Sequence, residues 1–543
     1  MKTDRSESGQ EWPDEVYLIG CKPDSNAHRD STRATPETLG FKAFNLSRMA
    51  NLGLPVPPAF VLGTHYCRDA EARKAATTSS VWAPGLRALE RTTGQRLGDA
   101  RRPLLLSVRS GAPVSMPGMM GTLLNIGLCD ATLAGLLRQT GNPRLVWDTY
   151  RRLVASYGEM VAGLAPRLFE DEYTALAGSR EESGLDFAEL RELARRYLMA
   201  YEHGAGKPFP QDPTVQLASA IAAVQASWQS PRACAYRSRC GISDAIGTAV
   251  TVQTMVFGNA GGRSGSGVGF TRDPVSGAPA LCVDFLFNAQ GEDVVSGRRS
   301  AHGHDELAHA MPAVWDALKD ASSRLERALG DMQDIEFTIQ DSRLYLLQTR
   351  DGKRTPQAAA RIALDLVDEE VISPDLARER TAALDPSRLV RVRIVTPDGK
   401  PWVPLAHAAS ASSGVAVGEI AFDAERAASR HAAGVPVVLV RRDAETDDIA
   451  ALEYATGLLT QRGARTSHAA VVARQLGKVC LVGCAALRLD ETAGTLQIGD
   501  MLMYEGDALT LDGNDGAIYA GTARTVVEPL AELQARLGRL REP

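Results

Sequence analysis

The order of apolar and polar residues along the chain predicts alternating strands and helices. Short runs dense in Val, Leu, Phe and Thr, which are typical of buried strands, occur at 104–110, 249–257 and 267–271. Between about 130 and 225, apolar residues recur at three- and four-residue spacing, as they do on one face of an amphipathic helix. We therefore predict an α/β (α+β) fold in which a helical insertion separates segments of one sheet.

Two more strand-like segments, 334–339 (DIEFTI) and 343–349 (RLYLLQT), flank the polar turn QDS and predict a hairpin. Glu336 and Gln348 then lie on adjacent strands, and Arg350 faces the same side as Gln348 because it is two residues further on. A carboxylate, an amide oxygen and a guanidinium on one face suit Mg²⁺ together with nucleotide phosphates. The alternative is a solvated strand face that holds one salt bridge.

A second compact region, roughly 400–515, follows a helical and charged connector at 356–390. Its strand-like segments are GVPVVLVRR (434–442), GLLTQRG (457–463), VCLVGC (479–484) and several short strands divided by turns within 501–521. Residues 466–477 predict a helix between two of these strands. The last stretch, VVEPLAELQARLGRLREP, predicts a terminal helix, with packing on its own domain as one alternative.

The composition indicates which classes of binding partner the protein is not built for. The 543 residues are 44% apolar and 23% charged, with a net charge of −6, which is ordinary for a globular protein of several domains. This charge favours neither nucleic acid nor an anionic membrane. We expect no membrane span, since no stretch approaches the roughly 18 apolar residues one requires, and no secretory signal, since the chain starts with polar and charged residues. The eight cysteines include no CxxC pair, so we expect a cytoplasmic protein without disulfides.

Two glycine-rich segments are candidates for phosphate binding. In SVRSGAPVSMPGMMGTLLNIGL (107–128), Arg109 ends a strand and precedes a loop of Gly, Pro, Ser and Met. Free backbone N–H groups beside an arginine form an anion site, although an ordinary turn is the alternative. The segment 258–277 predicts either a flexible flap over phosphates or a disordered surface hairpin.

The segment RTSHAAVVARQLGKVC (465–480) places His468 in the first turn of a helix, with Thr466 or Ser467 as the N-cap. The positive end of the helix dipole lowers the imidazole pKa and favours a neutral, nucleophilic ring. It also stabilises a phosphate carried on that ring. A surface or capping histidine is the alternative, and position alone does not exclude it.

Seven blocks spread over 39–484 decide between these alternatives when they are taken together. They are LGFKAFNLSRMANLGLPVPPAF, SVRSGAPVSMPGMMGTLLNIGL, GTAVTVQTMVFGN, SGSGVGFTRDPVSG, FLFNAQGEDVVSG, DIEFTIQDSRLYLLQTRDGKRT and LTQRGARTSHAAVVARQLGKVCLVGC. In this order they resemble the pyruvate phosphate dikinase family. Phosphoenolpyruvate synthases and rifampin phosphotransferases share the architecture but match these blocks less well.

The resemblance implies an ATP-grasp domain, a helical linker and a swivelling phosphohistidine β/α domain. The implied boundaries are a flexible tail at 1–14, the ATP-grasp domain at 15–355 with its insertion at about 130–225, a linker at 356–417, the phosphohistidine domain at 418–515 and a helical tail at 516–543. The family's C-terminal barrel, which binds pyruvate or phosphoenolpyruvate, is expected to be missing from these 543 residues.

The resemblance also implies roles for individual residues, with Arg109, Arg350 and His468 as the catalytic ones. The implied roles are triphosphate contacts by Lys42 and Arg109, a phosphate-covering loop with Gly118, Met119, Met120 and Thr122, an adenine hinge with Gln253, Met255 and Val256, Mg²⁺ ligation by Glu336 and Gln348, a β/γ-phosphate contact by Arg350, and phosphoryl transfer to His468. Thr466 matches a position that plant members use as a regulatory phosphosite.

Several positions depart from the family pattern and bear on nucleotide affinity and on the acceptor. The departures are Phe41, Ala43 and Phe44 around Lys42, Gly121 where aspartate is usual, Asp284 where glutamate is usual, and Ala464 and Arg465 before the carrier histidine.

The resemblance implies an ATP-dependent histidine phosphotransferase that converts ATP, with or without phosphate, to AMP while the β-phosphoryl group passes to His468. The implied partners are ATP, Mg²⁺, inorganic phosphate and an acceptor that is either a separate subunit or a small molecule, and a homodimer is compatible with the family. One alternative is a kinase of another small molecule, of the phosphoenolpyruvate synthase, phenylphosphate synthase or rifampin phosphotransferase type. The other is a non-catalytic, nucleotide-sensing regulatory subunit.

Overall fold

The computed structural model describes most of the chain, in ten segments. They are 12–21, 34–114, 116, 119–178, 180, 182–295, 303–395, 402–443, 451–490 and 493–542. The chain divides into two compact units, one formed by Met1–Ala260 with Tyr345–Gln348 and the other by Gly261–Leu344 with Thr349–Pro543. None of the helices in the described segments combines the length and the apolar character that crossing a membrane requires.

A five-stranded antiparallel sheet forms the centre of the first unit. Its strands are β1 (Val16–Ile19), β2 (Ala59–Leu62), β3 (Leu106–Gly111), β4 (Thr122–Ile126) and β5 (Ala249–Thr254), in the order β1-β2-β5-β3-β4. Every residue of β5 is buried, so both faces of this strand are covered, and its polar residues Thr251, Gln253 and Thr254 are buried with its apolar ones. The register places Arg109 opposite Thr251 on one side and Thr122 on the other.

Ten helices surround this sheet in the described part of the first unit. They are α1 (Pro36–Asn51), α2 (His65–Arg68), α3 (Ala70–Ala76), α4 (Ser79–Thr93), α5 (Asp130–Thr140), α6 (Pro143–Met160), α7 (Arg167–Ala177), α8 (Phe187–Ala205), α9 (Pro213–Ser227) and α10 (Pro231–Cys240). Helices α5 to α9 lie within the predicted helical segment at about 130–225. Their ends follow local chemistry, because Asn142 and Asp186 cap α6 and α8 while Gly141 and Gly206 end α5 and α8 in the left-handed conformation.

The second unit contains most of a four-stranded antiparallel sheet. Its strands are β6 (Gly265–Phe270), β7 (Cys282–Phe287), β8 (Gln333–Gln340) and β9 (Arg343–Asp351), in the order β7-β6-β8-β9. The helices α11 (Gly291–Val295), α12 (His304–Ala310) and α13 (Pro312–Leu329) belong to the same region. The predicted hairpin is confirmed, since Asp341 and Ser342 join β8 to β9 with φ values of 49° and 60°, the left-handed pair of a tight two-residue turn.

The strand predicted at 267–271 is confirmed within the glycine-rich segment 258–277. Residues 265–270 form β6, in which every residue is buried. A Cβ atom on Gly267 would lie 2.5 Å from the Phe337 ring, and the Phe285 and Phe337 rings stack with centroids 6.0 Å apart. The glycine therefore makes room for aromatic packing from the neighbouring strands.

The segments on either side of the last sheet pack together. Helices α14 (Pro356–Asp368) and α15 (Pro374–Thr381) are followed by β10 (Val390–Val395), which pairs with β22 (Arg524–Pro529). The final helix, α18 (Ala531–Arg541), packs on α14 and α15 with Leu537 buried. The predicted helical linker (356–417) and helical tail (516–543) therefore both contain strands, because each supplies one half of a two-stranded ribbon.

An eight-stranded mixed sheet holds the remaining residues. Its strands are β11 (Ala406–His407), β12 (Ala409–Ser412), β13 (Val415–Ala421), β14 (Val437–Arg441), β15 (Gly457–Thr460), β16 (Val479–Val482), β20 (Ala508–Asp512) and β21 (Ala517–Ala520), in the order β11-β21-β20-β13-β14-β15-β16-β12. Strands β13 to β16 run parallel. Helices α16 (Ala424–Ala432) and α17 (His468–Gln475) accompany this sheet, and β17 (Leu487–Asp490), β18 (Thr495–Ile498) and β19 (Met501–Tyr504) form a separate small sheet.

The two faces of this sheet belong to different hydrophobic clusters. On β14, Val438 and Val440 pack in one cluster, whereas Val437 and Leu439 pack in the other. Successive side chains of a strand point to opposite faces, so a strand covered on both sides has no polar alternation. The run VPVVLV shows this pattern.

Candidate functional site

A pocket in the first unit brings together four residues that the sequence predicted as nucleotide ligands. It encloses about 270 Å³. Its lining residues are Lys42, Ala43, Leu46, Arg109, Ser110, Thr251, Gln253, Leu347 and Gln348. Helix α1, strands β3 and β5, and the part of β9 that belongs to this unit each supply one wall. The pocket therefore collects two cations, two amides and two hydroxyl groups.

Arg109 is the strongest anion-binding candidate in this pocket. It lies on β3, an interior strand of the sheet, with ladder partners on both sides. Its Nε is buried, and among the residues that the structure describes it has no hydrogen-bond partner. A buried donor without a partner is costly unless a ligand accepts from it. A phosphate oxygen is an acceptor that suits a guanidinium.

Lys42 reaches the pocket from α1, where its side chain is exposed. Phe44 does not line this pocket, whereas Ala43 does. Ala43 is buried in the core with 1% of its surface exposed. Phe44 lies under the guanidinium of Arg48, which is 6.0 Å from the ring centroid.

The other residues predicted to contact nucleotide are placed differently. Gln253 lines the pocket, but its side-chain amide donates to the Pro57 carbonyl at 3.0 Å. Met255 and Val256 follow the end of β5, and Met255 packs against the main core. Thr122 pairs with Arg109 on β4. Met119 and Met120 pack in an apolar cluster around Trp228, and Gly118 lies outside the described residues.

In the second unit, Glu336 and Arg350 are joined by a residue that the sequence analysis missed. The Nε of Arg350 donates to Asp334 Oδ2 at 2.7 Å. Asp334 is two residues before Glu336 on β8, so both side chains face the same side. The alternating pattern of DIEF contains this signal, since it predicts a shared face for positions 334 and 336.

Burial and charge act against each other in this group. Burial raises the pKa of the Asp334 carboxyl, the Arg350 guanidinium lowers it, and the neighbouring Glu336 raises it further. Burial lowers the pKa of Arg350, but the carboxylates of Asp334 and Glu336 outweigh burial and raise it. The result is an ion pair next to a second carboxylate.

The structure confirms the prediction that His468 lies in the first turn of a helix. The N-cap is Ser467, whose hydroxyl accepts from the Ala470 N–H at 3.4 Å. The helix, α17, is shorter than the predicted 466–477 because Thr466 lies before the cap. The Thr466 N–H donates instead to Asp284 Oδ2 at 3.0 Å. The first free N–H groups of the helix therefore lie next to His468.

A buried arginine on the same helix holds the surrounding backbone. Arg474 donates to the carbonyls of Ala411, Lys353 and Arg465 at 2.9, 3.2 and 3.1 Å. Burial lowers the pKa of this guanidinium. These bonds tie α17 to β12, to the segment after β9 and to the turn that precedes Ser467.

Comparison with known proteins finds two family models that match this chain. Residues 78–310 and 311–371 match "Pyruvate phosphate dikinase, AMP/ATP-binding domain", and 434–516 match "PEP-utilising enzyme, mobile domain". Pyruvate, phosphate dikinase 2 of Zea mays is 43% identical over 491 residues, which are 89% of this chain and 56% of the relative. The chain belongs to the pyruvate phosphate dikinase family. The α/β fold class predicted from the sequence is confirmed by the family and by the structure.

Other members of the dikinase family show the same coverage. Pyruvate, phosphate dikinase of Clostridium symbiosum is 41% identical over 497 residues, which are 90% of this chain and 56% of the relative. The chloroplastic pyruvate, phosphate dikinase 1 of Arabidopsis thaliana is 41% identical over 498 residues, which are 91% of this chain and 52% of the relative. The chain thus spans about half the length of the relatives it matches.

Two departures from the dikinase pattern lie against each other. The Nε of Arg465 is 3.6 Å from Asp284 Oδ1, while the other carboxylate oxygen accepts from Thr466. A third departure, Gly121, has a different setting. A Cβ atom there would lie 2.0 Å from the terminal carbon of Met160, so a larger residue must first displace that flexible side chain.

The acidic group of this dikinase-family member fits a hard divalent cation that takes few protein ligands. Asp334 Oδ1 is buried and has no hydrogen-bond partner in the described segments. Mg²⁺ prefers oxygen ligands and keeps several waters, so one or two carboxylates suffice. No group of three or more His, Cys, Asp or Glu side chains within the described residues is arranged to hold a metal. The arrangement therefore suits a cation shared with substrate oxygens, not an all-protein cage.

Proposed function

We propose that this protein is an ATP-dependent histidine phosphotransferase of the pyruvate phosphate dikinase type. In the net half-reaction, ATP, phosphate and His468 give AMP, pyrophosphate and phosphorylated His468. The single observation that carries the proposal is the buried Nε of Arg109, which has no hydrogen-bond partner among the described residues and lies in a pocket that it shares with Lys42. This is the donor arrangement that a bound triphosphate completes.

Each candidate residue has a distinct role in this proposal. Lys42 and Arg109 hold the triphosphate in the first unit, and Arg350 neutralises phosphate charge during the proposed transfer. His468 accepts the phosphoryl group as a neutral imidazole, and the N-terminus of α17 stabilises the resulting anion. Thr466 has 7% of its surface exposed, so its modification requires this segment to leave Asp284.

Magnesium belongs to the proposal as a cofactor. Asp334 and Glu336 would hold the ion, which when bound offsets negative charge on the phosphates. Gln348 remains a predicted ligand from the family resemblance. We further propose that the phosphoryl group passes to an acceptor on a separate subunit or to a small-molecule acceptor.

The proposal is tested with ATP that carries the label in its β-phosphoryl group. With Mg²⁺ present, we expect one acid-labile, base-stable label on His468, formed together with AMP. His468→Ala should abolish the label while ATP still binds. Label in the His468→Ala protein, or ADP as the sole nucleotide product, would contradict the proposal. ATP binding without any label would point to the regulatory alternative.

A further inference from the structure

Helix α1 is interrupted at Gly40, two residues before Lys42. Gly40 has φ 71° and ψ 155°, which lie outside the helical region and favour glycine. Directly after this break, the Phe41 N–H donates to the Ala112 carbonyl at 2.9 Å. The helical turn that carries Lys42 is therefore attached by its first backbone group to the segment that follows β3.

The break also allows an unusually close approach between two backbones. A Cβ atom on Gly40 would lie 1.8 Å from the Gly111 carbonyl oxygen and 2.5 Å from its carbon. These are backbone atoms, so a flexible side chain cannot relieve the overlap. Gly111 is itself held in place, because its N–H donates to Thr248 at 3.1 Å and it pairs with Ala249 in the β3–β5 ladder.

The contact between the two glycines connects the two cationic residues of the pocket. Lys42 follows Gly40 by two residues, and Arg109 precedes Gly111 by two. A Cβ atom on Gly111 would lie 4.0 Å from the Lys42 Cβ, which is ordinary van der Waals contact. The distance between the Lys42 and Arg109 backbones is therefore set where Gly40 meets Gly111.

We propose that Gly40 is a positioning residue of the nucleotide pocket, which acts by setting Lys42 against Arg109. This inference rests on the proposed nucleotide binding. The neighbouring positions differ from Gly40, since Phe41 and Ala43 beside Lys42 both carry side chains. Only at Gly40 do both the backbone angle and the contact with Gly111 require glycine.

The test measures ATP affinity by calorimetry in the full chain with Mg²⁺ present. All variants carry His468→Ala, so that ATP is not consumed. Gly40→Ala should weaken ATP binding by about tenfold or more, because a displaced Lys42 loses a charge-assisted hydrogen bond to phosphate. The matched control is Gly141→Ala, since Gly141 has a similar φ of 63° but no atom within 4 Å of its Cβ position. It should lower the melting temperature without changing ATP affinity.

A double-mutant cycle distinguishes an effect of Gly40 on the position of Lys42 from a general disturbance of the fold. If Gly40 acts through Lys42, Gly40→Ala should change ATP affinity by less than about twofold in a Lys42→Ala background. An equal loss in both backgrounds would overturn the inference, as would unchanged affinity in Gly40→Ala alone. Absence of ATP binding by the parent protein would instead contradict the proposed function.

A second variant approaches the same contact from the other side. Gly111→Val adds methyl groups towards the Lys42 Cβ at a position whose φ is not left-handed. It should weaken ATP binding, and Lys42→Ala should remove that effect. If Gly40→Ala does not fold, Gly111→Val still tests whether this contact positions Lys42. A loss of ATP affinity that persists in the Lys42→Ala background would overturn the inference.

Discussion

Arg350 Nε donates to Asp334 Oδ2 at 2.7 Å, and the second oxygen of Asp334 is buried and has no hydrogen-bond partner in the described part of the chain. One oxygen of the Asp334 carboxylate is thus in an ion pair, whereas the other accepts no hydrogen bond from the described residues. An unused buried acceptor is retained at a cost in stability. A ligand-dependent role explains why it is retained.

We expect Asp334→Asn to slow phosphorylation of His468 by about a hundredfold, which is the scale for losing one electrostatic partner of the transition state. It should also raise the Mg²⁺ concentration needed for half-maximal rate. The matched control is Asp331→Asn, which breaks a comparable ion pair with Arg354 at 2.5 and 2.8 Å. Rate assays over a Mg²⁺ series compare the two variants, and equal rates in both would remove Asp334 from the site.

Arg109→Met should weaken ATP binding by at least about tenfold and leave the melting temperature nearly unchanged. The reason is that the buried Nε of Arg109 has no hydrogen bond to lose within the described residues. Arg237→Met should show the opposite pattern, with a loss of about 2 kcal/mol of stability. Arg237 is buried, pairs with Asp244 and donates to the Trp228 carbonyl. Calorimetry and thermal unfolding of both variants test this contrast, and a large stability loss in Arg109→Met would contradict it.

Local chemistry explains what the sequence predicted correctly. The β8–β9 hairpin was predictable because Asp341 and Ser342 tolerate the left-handed angles of a tight turn. The start of α17 was predictable because Ser467 is a good N-cap. Both depend on residues that are neighbours in sequence.

The missed features depend on residues that are distant in sequence. Gly267 lies in the strand predicted at 267–271, but its packing against the Phe337 ring from β8 depends on a residue 70 positions away. The contact between Gly40 and Gly111 likewise joins segments 71 positions apart. Asp334 is different, since the period of two along β8 contained its signal.

Ser467→Ala should cost about 1 kcal/mol of local stability. Because α17 has only eight residues, loss of the cap should fray its first turn and slow His468 phosphorylation. Ser373→Ala is the matched control, since Ser373 caps α15 by accepting from Leu376 at 3.2 Å. Hydrogen exchange should increase at the helix start in each variant, whereas the phosphorylation rate should fall only in Ser467→Ala. An unchanged phosphorylation rate in Ser467→Ala would show that the N-cap does not position His468.

Asp284 makes two contacts with the turn that precedes His468, and we expect them to differ in their contribution to stability. The hydrogen bond from the Thr466 N–H is buried, and leaving such a donor unpaired costs about 1–3 kcal/mol. The ion pair with Arg465 is 3.6 Å long with 31% of the arginine side chain exposed, so it should contribute less than about 1 kcal/mol. We expect Asp284→Ala to accelerate amide exchange at 465–470 clearly and Arg465→Met to do so only slightly. Asp284→Asn keeps an acceptor for Thr466 and should resemble Arg465→Met. If Asp284→Asn instead matched Asp284→Ala, the charge and not the hydrogen bond would hold this turn.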